Sequence, residues 1–113
     1  RSVSALAPIC APMQCPWGEK AFSGYLGEDR SSWAAYDACE LLKSHALPSE
    51  ALIDQGLADK FLAGQLKPEL IEARAAEAGQ RVRVRRHEGY DHSYFFMATF
   101  VSEHVAFHAE RLA

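Results

Sequence analysis

The sequence has 113 residues, 49% of them hydrophobic and 24% charged, with 12 Lys and Arg against 15 Asp and Glu for a formal net charge of −3. This is ordinary globular composition. The lack of a basic block argues against sequence-independent nucleic-acid binding, no stretch approaches the ~20 apolar residues that span a bilayer, and the apolar content is too high for a disordered chain. Val3 to Leu6 is a short apolar run that ends before Pro8 and predicts a strand. Ile9 to Asp29 holds Pro12, Pro16, Trp17, Gly18, Gly24, Tyr25 and Gly27, which predicts an irregular but packed segment. Ser31-Ser32 offers an N-cap for a helix from about Trp33 to Ser44, closed before Pro48.

Ala51-Leu52-Ile53 predicts a second, buried strand that ends in Asp-Gln-Gly, and a polar turn runs on to Asp59. Pro68 opens a helix in which Glu69, Leu70, Ile71, Ala75 and Ala78 keep helical spacing, and Gly79 is its natural stop. Arg81 to Arg86 alternates Arg with Val82 and Val84, so a third, edge-like strand is expected with its arginines on the solvated side. Gly89-Tyr90-Asp91 turns the chain into a final helix from His92 to about Leu112. Strands alternate with helix-length connections, which is the pattern of an α/β fold with a mainly parallel sheet and crossover helices, about three strands and three main helices here. Three strands make a thin sheet, and parallel sheets want cover on both faces. The sequence also enters a strand at once and without Met, so it is expected to be part of a longer fold. The cysteines, Cys10, Cys15 and Cys39, are odd in number and read as reduced thiols rather than as a disulfide scaffold.

Functional groups in open parallel sheets gather at the carboxyl ends of the strands. That rule selects the loop after Ala7, the loop from Asp54 to Asp59 and the turn from Glu88 to His92. Asp59 precedes His92 by 33 positions. Acid before histidine is the order of the last two members of an α/β-hydrolase triad, in which the carboxylate fixes the imidazole tautomer and the imidazole takes a proton from the nucleophile. Bland readings stand beside this one. Asp59 before Lys60-Phe61-Leu62 fits a helix N-cap, and His92 fits a surface or capping histidine. Asp54 and Asp91 compete as the acid, although Asp91 adjoins His92 and is badly placed to orient its ring.

Other chemistries find less support. His104 and His108 have a zinc-chelating spacing on a helix, but they project to the side of Met97, Val101, Val105 and Leu112 with no acid between them. They read as partly buried histidines beside an apolar stripe. Cys10 and Cys15 have no second pair to complete a tetrahedral site. Gly24 and Gly27 are not followed by a Gly-Lys-Ser/Thr helix start, so no phosphate loop is present. Phe95, Phe96 and Phe100 are expected in the core.

Several strings are far more specific. They are Pro-Ile-Cys-Ala-Pro (8–12), Cys-Pro-Trp-Gly-Glu-Lys-Ala-Phe-Ser-Gly-Tyr-Leu-Gly (15–27), Ser-Trp-Ala-Ala-Tyr-Asp-Ala (32–38), Leu-Ile-Asp-Gln-Gly (52–56), Asp-Lys-Phe-Leu (59–62) and Glu-Gly-Tyr-Asp-His-Ser-Tyr-Phe-Phe (88–96). From first residue to last helix, the sequence resembles the S-formylglutathione hydrolases, the esterase D family of serine hydrolases. The resemblance implies the C-terminal part of an α/β-hydrolase fold, with Asp59 in the place of the triad acid and His92 in that of the base. It implies hydrolysis of S-formylglutathione to glutathione and formate, side activity on small esters, no cofactor, and a cytoplasmic homodimer when complete. Trp17 and Tyr90, in loops at the same sheet edge, are candidates for the acyl pocket.

The family's nucleophile, the serine of a Gly-x-Ser-x-Gly elbow, lies upstream of the matching segment. None of the nine serines here has glycines at both −2 and +2. Residues 1–113 are therefore expected to be the C-terminal portion of a single domain, inactive and unstable alone, with the missing N-terminal part as their partner. Two alternatives remain: an inactive truncated paralogue serving as a binding or dimerisation module, and a self-contained cysteine hydrolase using Cys10 or Cys15 with His92.

Overall fold

Six consecutive buried residues, Ala51 to Gly56, form the middle strand of a three-stranded parallel sheet in the computed structural model, which describes residues 1–113. The strands are β1 (Ser4–Leu6), β2 (Ala51–Gly56) and β3 (Val82–His87), in spatial order β1-β2-β3. Ser4 stands opposite Leu52, while Ala51 to Gly56 stand opposite Val82 to His87. β2 has a strand on each edge and helical cover on each face, which is why it carries no exposed residue.

Helices cover the two faces. On one, Ile53 packs with Cys10, Ala11, Cys39, Leu42, Ile71 and Ala75, and Ala5, Val82 and Val84 lie against this cluster. It is closed by α2 (Ala38–Leu41) and α3 (Pro68–Glu77). On the other, Ala7 and Leu66 pack with Phe96 and Phe100 of α4 (Tyr94–Leu112). As expected, Pro68 is the first residue of α3, and Gly79, at φ 66°, follows its end. No helix is long and apolar enough to cross a membrane.

Three local expectations are corrected. The segment from Ile9 to Asp29 is not irregular throughout: Pro16–Leu26 forms helix α1. Pro16 takes the first helical position, where its missing N–H costs nothing, and the Cys15 sulfur accepts from the Gly18 N–H. The helix expected from Trp33 to Ser44 is instead one 3₁₀ turn, Ala34–Tyr36, and the four-residue α2. Asp37 divides them, because its carboxylate caps Glu40 N through one oxygen and holds Met13 N through the other. Finally, α4 begins at Tyr94, and its buried residues are Phe96, Phe100, His104 and Phe107. Phe95, Val101, Val105 and Leu112 are exposed, so the docked face is turned away from the predicted stripe. Aromatic rings and the polar demand of the sheet below select this face.

Gly56 ends β2 against the backbone of Tyr90, and a Cβ there would overlap the Tyr90 carbonyl. The close approach is held by Leu57 N–H to His87 O and Ala58 N–H to Tyr90 O, each 2.9 Å. Gly56→Ala is expected to push the two loops apart and cost about 1–3 kcal/mol, the usual penalty for overpacking. Thermal unfolding against the parent measures it, and an unchanged Tm would show that the 88–92 turn yields freely.

Candidate active site

The loops that leave β2 and β3 meet beyond the strand ends, because β2 and β3 are adjacent and zipped as far as Gly56 and His87. This brings together Asp59 and His92. His92 Nδ1 lies 2.8 Å from Asp59 Oδ2. Asp59 is 5% exposed, and both its oxygens are engaged. Oδ1 accepts the Phe61 N–H at 2.8 Å, and Oδ2 also accepts from Gln55 Nε2 at 3.1 Å. The N-cap reading of Asp59 is corrected: the helical turn Leu62–Leu66 starts from Phe61 with no side-chain cap, and the bond from Phe61 N–H instead closes a tight turn that holds the carboxylate toward His92.

A carboxylate only accepts, so the shared proton sits on His92 Nδ1 and the neutral ring keeps its lone pair on Nε2. Nε2 has no hydrogen bond within the chain, and His92 lies at the surface. The Phe61 ring stands edge-on to the imidazole, with centroids 5.5 Å apart. Trp17 packs on Phe61 at 4.5 Å, and its backbone N–H donates to Gln65 Oε1. Trp17 is therefore one ring removed from His92. Tyr90 points elsewhere: its ring packs with Phe95, Phe96, Phe100 and His87.

The competing acids are accounted for. Asp91 is exposed. Asp54 is fully buried and binds Arg85 through two 2.7 Å contacts, His87 Nε2 at 2.7 Å and His104 Nε2 at 2.6 Å. Burial alone would raise the Asp54 carboxyl, but the hydrogen bonds from Arg85, His87 and His104 outweigh it and hold the pKa at about 2. The reading of every β3 arginine as solvated is corrected here. Arg83 and Arg86 pair with Glu50 and Glu72 near the surface, whereas Arg85 turns under α4 to Asp54, because a buried carboxylate demands a cation.

His104 and His108 belong to the same network. Ser4 Oγ bridges His104 Nδ1 and His108 Nε2, each at 2.8 Å, and Ser2 Oγ meets His108 Nδ1 at 2.6 Å. This chain of polar contacts ties α4 to β1 and β2. No group of three or more His, Cys, Asp or Glu side chains is arranged to hold a metal ion.

The cysteine-nucleophile alternative is corrected. Cys10 and Cys39 are buried, and burial, followed by nearby Cys39 and Asp37 respectively, pushes their thiols up to about 12 and about 11. Such thiols hold their protons and are poor nucleophiles. Cys15 is also buried, with its sulfur spent on capping α1 and on the Pro12 carbonyl. Cys10 and Cys15 serve the core and a helix end.

Two residues at the site escaped the sequence reading. Gln55 was visible only as the end of a strand, and Phe61 only as part of a helix start. The Asp-Gln-Gly string, which holds Gln55, and the Asp-Lys-Phe-Leu string, which holds Asp59 and Phe61, are the available signal.

A parallel sheet with helices on both faces, and an acid–histidine pair at the carboxyl edge, is the arrangement of the α/β hydrolases. The family comparison narrows the class: the Esterase family model, described as "Putative esterase", matches residues 1–107, and the chain belongs to that family. It is 55% identical to rat S-formylglutathione hydrolase and 53% identical to the bovine one, over 99% of this chain in each case. A solved S-formylglutathione hydrolase structure from Agrobacterium tumefaciens superposes with a TM-score of 0.94 at 47% identity. It is matched over 99% of this chain and 40% of its own. The chain likewise spans about 40% of the length of the rat and bovine relatives.

Proposed function

We propose that these residues are the C-terminal portion of a serine hydrolase that cleaves S-formylglutathione to glutathione and formate. They supply the triad acid, Asp59, and the base, His92. The nucleophilic serine and the oxyanion-binding N–H groups come from the part of the protein outside residues 1–113. The observation that carries this reading is the 2.8 Å contact between Asp59 Oδ2 and His92 Nδ1, with Nε2 left open. The chain's own serines do not compete, since those bonded to histidines meet His45, His104 and His108.

In this reading Asp59 keeps the proton on Nδ1, so the Nε2 lone pair accepts the serine hydroxyl proton as the oxygen attacks the formyl carbon. The tetrahedral intermediate collapses with cleavage of the C–S bond, and the imidazolium returns its proton to the departing glutathione sulfur. Water then attacks the formyl-enzyme with His92 again as base. Formate leaves and the serine is restored. Alone, residues 1–113 lack both the nucleophile and the oxyanion donors, and they are inactive.

Fluorophosphonate labelling of the full-length protein tests the assignment. The expected adduct is on a serine outside residues 1–113, and thiol release from S-formylglutathione disappears in step with labelling. An adduct within these residues, or thiol release that survives complete labelling, overturns it. A protein that neither labels nor turns over is instead a non-catalytic relative.

A further inference from the structure

We propose that Gln55 is a positioning residue for the Asp59–His92 pair, an inference that rests on the hydrolase reading above. Gln55 is the penultimate residue of β2 and is fully buried. One proton of its amide nitrogen goes to the Gly56 carbonyl at 3.0 Å and the other to Asp59 Oδ2 at 3.1 Å. Both neighbours are acceptors, so the amide has one workable orientation with its nitrogen toward the acid. The oxygen that Gln55 holds is the one that meets His92.

The consequences are geometric and electrostatic. Phe61 N–H pins Oδ1 and Gln55 pins Oδ2, so the carboxylate cannot swing away from the imidazole. The donated proton also draws charge from Oδ2, which moderates how strongly Asp59 stabilises the imidazolium.

The other end of the amide argues against a packing role. Gln55 Oε1 is the one buried side-chain polar atom in the chain without a hydrogen-bond partner. A leucine or methionine would fill the space without stranding an acceptor, and buried polar groups left half-satisfied are uncommon because they destabilise. The reason for an amide here lies at its nitrogen, on Asp59. Lys60, over the Phe61 ring, and Asp91, beside His92, are the other charged groups nearby.

The test uses the full-length protein and compares Gln55→Leu and Gln55→Glu with Asp59→Asn, following kcat, KM and the pH dependence of kcat/KM on S-formylglutathione. Gln55→Leu is expected to lower kcat about 10-fold or more, the worth of one charge-assisted hydrogen bond, with KM nearly unchanged. Its acidic limb moves up by about half a pH unit or more, because the uncompensated carboxylate raises the histidine's affinity for protons. Gln55→Glu keeps the shape but sets a second carboxyl group against Asp59 Oδ2, where the two share a proton, so its limb also departs from the parent's. Folded variants with parental kcat and an unmoved limb overturn the proposal.

If Asp59→Asn is as active as the parent, the hydrolase reading falls and the proposal with it. An inactive Asp59→Asn beside unaffected Gln55 variants rejects the positioning role alone. A readout that needs no Gln55 variant is side-chain amide exchange in the parent protein. Protected Gln55 amide protons, shifted in Asp59→Asn, support the proposal, and freely exchanging ones overturn it.

Discussion

Replacing Asp59 by Asn in the full-length protein is expected to lower kcat about 10⁴-fold, the scale on which triad enzymes respond to a wrong histidine tautomer. The local geometry says why the loss is so large. Phe61 N–H faces one carboxylate oxygen, and the amide oxygen of the new Asn can satisfy it. Its NH₂ group is then directed at His92 Nδ1 and Gln55 Nε2, where an acceptor stood before. Meeting an N–H donor, the imidazole must carry its own proton on Nε2, and that nitrogen can no longer accept one from a serine. KM should stay within a few-fold, and the Phe61 N–H keeps its acceptor. His92→Ala, which removes the base itself, should cost at least as much. Steady-state kinetics with urea unfolding on the same samples decides the matter: a folded Asp59→Asn within 10-fold of the parent would rule out Asp59 as the triad acid.

Asp54→Ala is expected to leave the chemistry alone at first and to attack the scaffold, by about 3–5 kcal/mol, as when one partner of a buried ion pair is removed. Arg85, His87 and His104 all lose their acceptor, and β2, β3 and α4 lose the group that joins them. The pH dependence has a definite sign. The carboxyl titrates at about 2 in the folded protein against an ordinary 3.8. Its contribution is complete above pH ~4 and is lost as the pH falls toward ~2, and a depression of this size is worth about 2–3 kcal/mol. Urea unfolding at neutral pH should show the full gap between parent and Asp54→Ala, and the gap should narrow between pH 4 and pH 2. A gap under about 1 kcal/mol at neutral pH, constant with pH, would mean that the network stabilises nothing net.

The two aspartates show how unevenly a sequence displays its site. Asp54 and Asp59 lie five positions apart, one at the end of a buried run and one before a helix-like start. Local pattern could not assign their roles. Asp54 is committed because Arg85 and His87 lie across the β2–β3 ladder and His104 reaches down from α4. Asp59 is free to meet His92 because it stands beyond the strand end, where the two loops are drawn together at Gly56. The phase of α4 departs from its apolar pattern for a related reason. Val101, Val105 and Leu112 carry as much apolar weight in the pattern as any others, whereas the docked face carries Phe96, Phe100 and Phe107 together with His104, which Asp54 requires.

By itself, the sequence determined the α/β class, three strands in parallel order, the helices that begin at Pro68 and end by Leu112, and the order of acid before histidine. Those features rest on periodicity, proline and glycine placement and linear order, all of which act over a few residues or are read along the chain. Only the tertiary structure decided which aspartate faces His92, that Gln55 and Phe61 hold its oxygens, that Arg85 turns inward, and that Pro16–Leu26 is a helix whose Trp17 reaches the site through Phe61. Each depends on the register between β2 and β3 or on the docking of α1 and α4. Such contacts join residues from far apart in sequence, and local propensity does not encode them.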